Sequence, residues 1–324
     1  MNTSRAVLGV DTSNYCTSLC LVDDDGNRLA EERQWLDVPQ GERGLQQSRA
    51  VFQHVRRLPE LFLRLPLDQV EVVAVAVSTA PRPQAGSYMP VFQVGTSWAQ
   101  SLAHAWGVPL IKTTHQEGHI AAGEATADRT WNADRFLAVH LSGGTTDLMD
   151  VSRRGAGYDI ETIGGSRDLH AGQLVDRIGV AMGLPFPSGR YVEELALQYN
   201  GQEQVTIPSS VDGLTCSFSG PQTALLRLWE KRAASKEALA FAALRCVANS
   251  VEKLLNHAFD QGYPKEVLIV GGVAANSLIR DRLRKRLEHP AVRARLTFAD
   301  PRYSGDNAYG VARIGLRAVK GCHG

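Results

Sequence analysis

Apolar positions along the chain follow two alternating rhythms. Near the start, "AVLGVDTSNYCTSLCLVDDDG" places Val7, Leu8, Gly9 and Val10 before the polar turn Asp11-Thr12-Ser13-Asn14, and Thr17 to Val22 after it, closing on an Asp-Gly turn. That pattern predicts strand, turn, strand. "RFLAVHLSGGTTDLMDVS" repeats it later, with Phe136–Val139 entering a small-residue turn and Leu148–Val151 leaving it. The two hairpins read as one unit used twice. "VEVVAVAVST" (70–79) is a continuous β-branched run, the mark of a buried strand. Val91, Val94, Trp98, Leu102 and Ala105 have helical spacing, ended by Gly107-Val108-Pro109, and "PLIKTT" follows as a short strand. Residues 123–134 are polar and aperiodic, and predict a linker.

In the second half, "AGQLVDRIGVAMG" predicts a helix ending at Gly183. Ser235 is placed to cap a long helix with a Leu239, Ala243, Val247, Val251, Leu254, Ala258 stripe and Gly262 beyond its end. "EVLIV" (266–270) predicts a buried strand, then Gly271-Gly272, then a helix from about Asn276. "RLTFAD" is another strand and "DNAYGVARIGLRAV" a closing helix. Strands and helices in alternation imply a layered α/β architecture, most simply two hairpin-led halves about a cleft.

At 324 residues with 44% apolar content, the chain can bury one large core or two ordinary ones. A formal charge of +1 supplies no global field for nucleic acid, although a local patch can suffice. The five cysteines (16, 20, 216, 246, 322) form no C-x-x-C, which predicts reduced thiols in a cytoplasmic protein. The N-terminus has no secretory apolar region and no run is long enough to span a membrane.

"TTHQEGHIAAG" places His115 and His119 four apart, one above the other if the segment is helical. Such a pair can bind a metal or be two surface histidines, and two ligands do not complete a site. Glu117 is not in the H-E-x-x-H position, which argues against a metalloprotease. Asp306, in the glycine-containing "YSGDNAYG", is a candidate third ligand. "DTSN" (Asp11, Ser13, Asn14), "LSGGTT" and "LIVGGVAAN" each place small residues after a strand, where backbone N–H groups can meet phosphate. Neither G-x-G-x-x-G nor Walker A is present, and any one loop reads equally as a turn; three together favour a nucleotide cleft. Asp176 can hold ribose hydroxyls or be a solvated neighbour of Arg177. Seven Arg/Lys between 280 and 295 read as a solvated helix or an RNA backbone contact.

The order of these pieces is more specific than any of them. D-T-S, H-x-E-G-H, S-G-G-T, D-x-x-A-G-x-x-x-D, S-F-S-G, G-G-V-x-A-N and G-D-N-A follow one another over nearly the whole chain. This resembles the threonylcarbamoyl-transferase family of tRNA modification enzymes (TsaD-like, formerly glycoproteases). The resemblance implies the two-lobed actin-like, sugar-kinase and heat-shock ATPase fold with a nucleotide cleft between duplicated lobes. Residues 1–133, with the closing helix 306–321 packed back on them, form the expected N-terminal lobe, and 134–305 the C-terminal lobe. It implies one divalent metal, iron or zinc, on His115, His119 and Asp306. It also implies an adenine nucleotide, ATP or an acyl-adenylate, on His140, Leu141, Ser142, Gly143, Gly144, Asp176, Gly189 and Asn276. The expected activity is transfer of threonylcarbamoyl from its adenylate to an adenosine beside the tRNA anticodon. A related-fold protein or a second copy is an expected partner, and no membrane.

The chain departs from the family pattern at Thr145 (usually His), Leu169 (Asp), Gln173 (Glu), Arg177 (Lys) and the first loop, Asp11 to Thr17, in place of E-T-S-C-D-E-T. "APRPQAGSYMPVFQVG" replaces a glycine-rich segment. These changes alter the acid/base groups, so no catalytic residue is assigned, and they mark a divergent paralogue. The alternatives are a nucleotide-binding regulatory paralogue acting through a protein partner, and a kinase of the same fold, which leaves the histidine pair unexplained.

Overall fold

The computed structural model describes residues 4–13, 15–38, 45–303 and 305–321. In chain order the first half runs β1 (Ser4–Ser13), β2 (Cys16–Asp23), β3 (Arg28–Trp35), α1 (Gln47–Phe62), β4 (Val70–Ser78), α2 (Val91–Trp106), β5 (Leu110–Thr113) and α3 (His115–Ala125). Then come β6 (Arg135–Leu141), β7 (Thr146–Arg154), β8 (Gly157–Ser166), α4 (Ala171–Ala181), α5 (Gly189–Leu197), β9 (Ser210–Asp212), β10 (Thr215–Ser217) and α6 (Ser219–Glu230). The chain closes with α7 (Lys236–Asp260), β11 (Glu266–Val270), α8 (Ser277–Leu287), β12 (Arg295–Phe298) and α9 (Tyr309–Gly321). No described helix is long and apolar enough to cross a membrane. Asn14 and Cys322 lie outside the described residues. Cys16, Cys20, Cys216 and Cys246 are buried free thiols.

Two compact units result: residues 1–126, 153–160 and 305–324, and residues 127–152 and 161–304. Their sheets share one plan. The first has the order β3-β2-β1-β4-β5, and the second contains β8-β7-β6-β11-β12, extended by β10 and β9 beyond β8 and read in the same sense. In each, a hairpin (β1–β2, β6–β7) is antiparallel and its first strand pairs in parallel with a later buried strand (β4, β11), which pairs in parallel with a short one (β5, β12). The repeated hairpin in the sequence is thus a repeated sheet.

In the first unit, Leu8, Val10, Leu19, Leu21, Val75 and Val77 are buried against α1 and α2. The other sheet face takes α9. α9 also crosses α3 so closely that a Cβ on Gly310 would stand 1.8 Å from the Gly118 carbonyl oxygen, so only glycine fits the crossing. The second unit is built on α7, whose Leu239, Ala243, Val247, Val251, Leu254 and Ala258 are all buried, with Ser235 accepting from the Ala238 N–H at 3.2 Å as its N-cap. Asn276 caps α8 rather than starting it, accepting from the Ile279 N–H at 3.1 Å. α3 runs on through Ala125, so the first residues of the expected 123–134 linker are helical. The sequence rhythm missed β3, a sheet edge whose charged residues stand on both faces, and α1, which is rich in Gln and Arg and holds Pro59.

A candidate metal centre and a glycine-lined loop cluster

β5 delivers the chain to Thr114, whose side chain accepts from the Glu117 N–H while Glu117 accepts from the Thr114 N–H at 2.9 Å. This capping box starts α3 at His115. It also occupies Glu117, which further accepts from Thr113 Oγ1 and the Tyr158 N–H. Glu117 is a structural carboxylate here. The helix puts His115 and His119 on one face, with their Nε2 atoms 3.0 Å apart. The α3–α9 crossing brings Asp306, three residues ahead of α9, to 3.3 Å from His115 Nε2 and 3.5 Å from His119 Nε2. One ligand atom from each of the three lies within 4.8 Å of the others. Two imidazole nitrogens and one carboxylate oxygen suit iron or zinc and leave coordination positions open.

The opposite ring nitrogen, His115 Nδ1, meets Asp11 Oδ1 at 3.1 Å. Asp11 is fully buried near the end of β1 and also accepts from the Ser78 hydroxyl, while its Oδ2 has no hydrogen-bond partner among the described residues. This carboxylate–histidine arrangement fixes which imidazole nitrogen faces the cluster. Burial opposes a charged imidazole, but Asp11 and Asp306 outweigh it and hold His115 well above the ordinary histidine range. Burial likewise opposes the Asp306 carboxylate, and hydrogen bonds and charge from His115 and His119 override it, holding the group well below its usual value.

Ser13 is buried, and its hydroxyl lacks a partner among the described residues. Sequence reasoning passed over His54. It is fully buried on α1, with Nδ1 2.8 Å from Thr17 Oγ1, and burial drives it down to about 4. Its signal would have been a lone histidine on the apolar face of an unrecognised helix.

In the second unit the other predicted residues gather around the β6–β7 turn. His140 and Leu141 end β6, and Ser142 to Thr145 form the turn. α4 is seated on it: the Ala171 N–H donates to Thr146 Oγ1 at 2.8 Å and the Gly172 N–H to the Ser142 carbonyl at 3.2 Å. A Cβ on Gly172 would stand 2.6 Å from Gly143 Cα, so the helix needs glycine there to sit this close. Asp176, farther along α4, accepts from the Ser188 N–H at 2.7 Å just ahead of Gly189, and burial raises it against that bond. Glu193 on α5 accepts from the Ser277 N–H at 2.7 Å, which ties α5 to the segment holding Asn276. Gly143, Gly144, Gly189 and Gly272 all face open space. Asp168 is spent at the start of α6, accepting from the Phe218 N–H at 2.9 Å and from Ser217.

Four arginines of the basic run on α8 share two carboxylates. Arg280 and Arg284 share Asp128 at 2.8 and 2.5 Å and stack on Phe298, and Arg282 and Arg286 share Glu252 at 3.4 and 2.8 Å. The carboxylates come from elsewhere in the chain rather than from the helix, and the run keeps an excess of positive charge.

The family model described as tRNA N6-adenosine threonylcarbamoyltransferase (TsaD) matches residues 49–313. A protein of that name from Streptococcus suis is 31% identical over 98% of this chain and 93% of its own. A probable bifunctional tRNA threonylcarbamoyladenosine biosynthesis protein of Methanothermobacter thermautotrophicus is 29% identical over 97% of this chain and 56% of that protein. Among solved structures, HypF of T. kodakarensis superposes with a TM-score of 0.58 at 14% identity, over 98% of this chain and 48% of that one. The Acidaminococcus fermentans (R)-2-hydroxyglutaryl-CoA dehydratase component A gives 0.55 at 15% identity, over 97% and 100%. At such identities these likenesses speak for the fold alone, which is that of the actin, sugar-kinase and heat-shock ATPase class.

Proposed function

The chain belongs to the tRNA N6-adenosine threonylcarbamoyltransferase family, and from that premise we propose that it is a metal-dependent transferase moving a threonylcarbamoyl or related carbamoyl group from an adenylate to an adenosine of tRNA. The observation that carries this reading is the convergence of His115 and His119 on α3 with Asp306 in the loop ahead of α9, where the two helices pack at a glycine crossing, with Asp11 on the far nitrogen of His115. A divalent iron or zinc ion held there would act as a Lewis acid toward the group being transferred.

The residues divide the remaining work. Asp11 and Ser78 hold His115 in one tautomer and orientation. In the second unit, the Ser142–Gly144 turn and Gly189 offer open backbone to the phosphate of an adenylate, with His140 and Leu141 placing the turn and Asn276 stiffening the adjoining loop. Asp176 is placed for ribose hydroxyls, with one oxygen already committed to Ser188. In the reaction the N6 amine forms a C–N bond to the carbamoyl carbon, the C–O bond to the adenylate phosphate breaks, AMP leaves and the amine gives up a proton.

The test is metal analysis of wild type beside His119→Ala, with calorimetric titration of an adenylate on the same samples. Stoichiometric metal in wild type, its loss in the variant and adenylate affinity dependent on metal are the expected results. Absence of metal from both proteins after incubation with iron and with zinc would overturn the reading.

A further inference from the structure

Trp35 ends the edge strand β3, and 57% of it is exposed. Its backbone, by contrast, is tightly held. Arg57, itself buried, donates to the Trp35 carbonyl and pairs with Asp37 at 2.5 Å. The next residue, Leu36, donates its N–H to the Tyr15 carbonyl at 2.7 Å. A buried guanidinium is committed to fixing the main chain beneath an exposed indole.

Strand register shows where that indole points. Ser13 pairs with Cys16 and Cys16 with Trp35, so the three side chains stand in one row on one face. Asp11, two residues before Ser13, shares that face and reaches His115 from it. The indole edge atoms Cζ2 and Cη2 lie 3.4 and 3.5 Å from where a Cβ on Gly305 would sit, and Gly305 directly precedes Asp306. The ring therefore rests against the ligand-bearing loop itself. In the same row, the Ser13 hydroxyl is buried without a hydrogen-bond partner among the described residues.

We infer that Trp35 is a stacking plate for an unstacked purine base of the RNA acceptor, presenting that base beside the His115–His119–Asp306 cluster. The inference rests on the transferase reading above and names the residue that would position its acceptor. A base whose exocyclic amine reacts must leave its own stack, and single-stranded RNA bases are characteristically received on rigid aromatic faces. A half-exposed indole on a firmly held main chain, beside the cluster, has that form.

The test is a double-mutant cycle by fluorescence anisotropy. Metal-loaded wild type, Trp35→Ala and Trp35→Phe are titrated with an anticodon stem–loop RNA carrying an unpaired adenosine 3′ of the anticodon, and with the same RNA abasic at that nucleotide. The expected result is that Trp35→Ala weakens binding of the intact RNA by about tenfold to a hundredfold and leaves binding of the abasic RNA unchanged, while Trp35→Phe retains most of the affinity. Equal losses on both RNAs, or none on either, would overturn the inference while the transferase reading stands. Failure of wild type to bind either RNA would overturn it too, and metal loading with adenylate binding, read separately, would then judge the transferase reading. Loss of self-association in Trp35→Ala without any base-dependent effect would assign the ring to a protein contact instead.

Discussion

The two hairpin turns, Ser13 to Cys16 and Leu141 to Thr146, begin the same sheet plan in the two units. In the first, two residues separate the paired positions, and the strand ends around the turn are sealed: Asp11, Thr12, Ser13, Cys16 and Thr17 are all buried. Asp11 is committed to His115 and Ser78, and Thr17 to His54. In the second, four residues intervene, and Gly143 and Gly144 face open space with α4 seated behind them. The strand ends beside the first turn present a carboxylate to other side chains, whereas the glycines of the longer second turn face open space. The repeat fixed the framework, and turn length with side-chain size divided the chemistry.

The comparison is broken most severely by His119→Ala. Removing one of three ligands on the first side should lower metal affinity by at least about a hundredfold, read by metal analysis after dialysis, with thermal stability of the apo-protein little changed. Asp11→Asn tests whether the sealed turn serves the cluster. The expected loss of metal affinity is about tenfold to a hundredfold, the usual worth of a carboxylate behind a ligating histidine. Adenylate binding measured in the absence of metal should be unaffected. An equal loss of adenylate binding would return Asp11 to the phosphate-contact role that its loop suggests. Metal affinity should also climb with pH, because the raised His115 must lose its proton before Nε2 can serve as a ligand; titrations at several pH values check this.

On the second side, Gly172→Ala places a Cβ 2.6 Å from Gly143 Cα and 2.8 Å from the Ser142 carbonyl oxygen. Urea denaturation should show a loss of about 1–3 kcal/mol, the usual cost of overpacking, with weaker adenylate binding. Gly143→Ala, facing open space, should leave stability alone and weaken adenylate binding only, which separates the support from the contact. His54→Gln is a smaller effect. Its native value of about 4 lies below that of an exposed histidine near 6.5, so the unfolded chain takes up the proton first. Stability contributed by the neutral ring is present above about pH 6.5 and lost as pH falls toward 4. The variant should show a shallower decline over that window in urea titrations. Smallest of all, Arg284→Ala should cost under about 1 kcal/mol, because its pairing with Asp128 is partly exposed.

Much of this was legible in the chain. Apolar runs gave the buried strands and the repeated hairpin because buried parallel strands must be continuously apolar and helices must keep a 3.6-residue stripe. The His115–His119 face followed from helical geometry alone, and Ser235 and Gly262 bounded α7 through local capping chemistry. Other features left no such trace. β3 is an edge strand whose polar residues suit either face, and α1 shows its amphipathic face only when His54 and Arg57 are counted among its buried residues. Local pattern cannot say that Asp306 stands beside His119, nor that Asp11 meets the ring of His115. Those facts depend on contacts between residues more than a hundred positions apart, made by a helix crossing that Gly118 and Gly310 permit and by the parallel pairing of β1 with β4. The same holds for the arginines of α8, whose partners Asp128 and Glu252 come from outside the helix. Periodicity and caps are short-range properties, and the sequence by itself determined the elements and the repeat that they build. Proximity across the chain is set by packing, and only the tertiary structure decided which polar groups share a site.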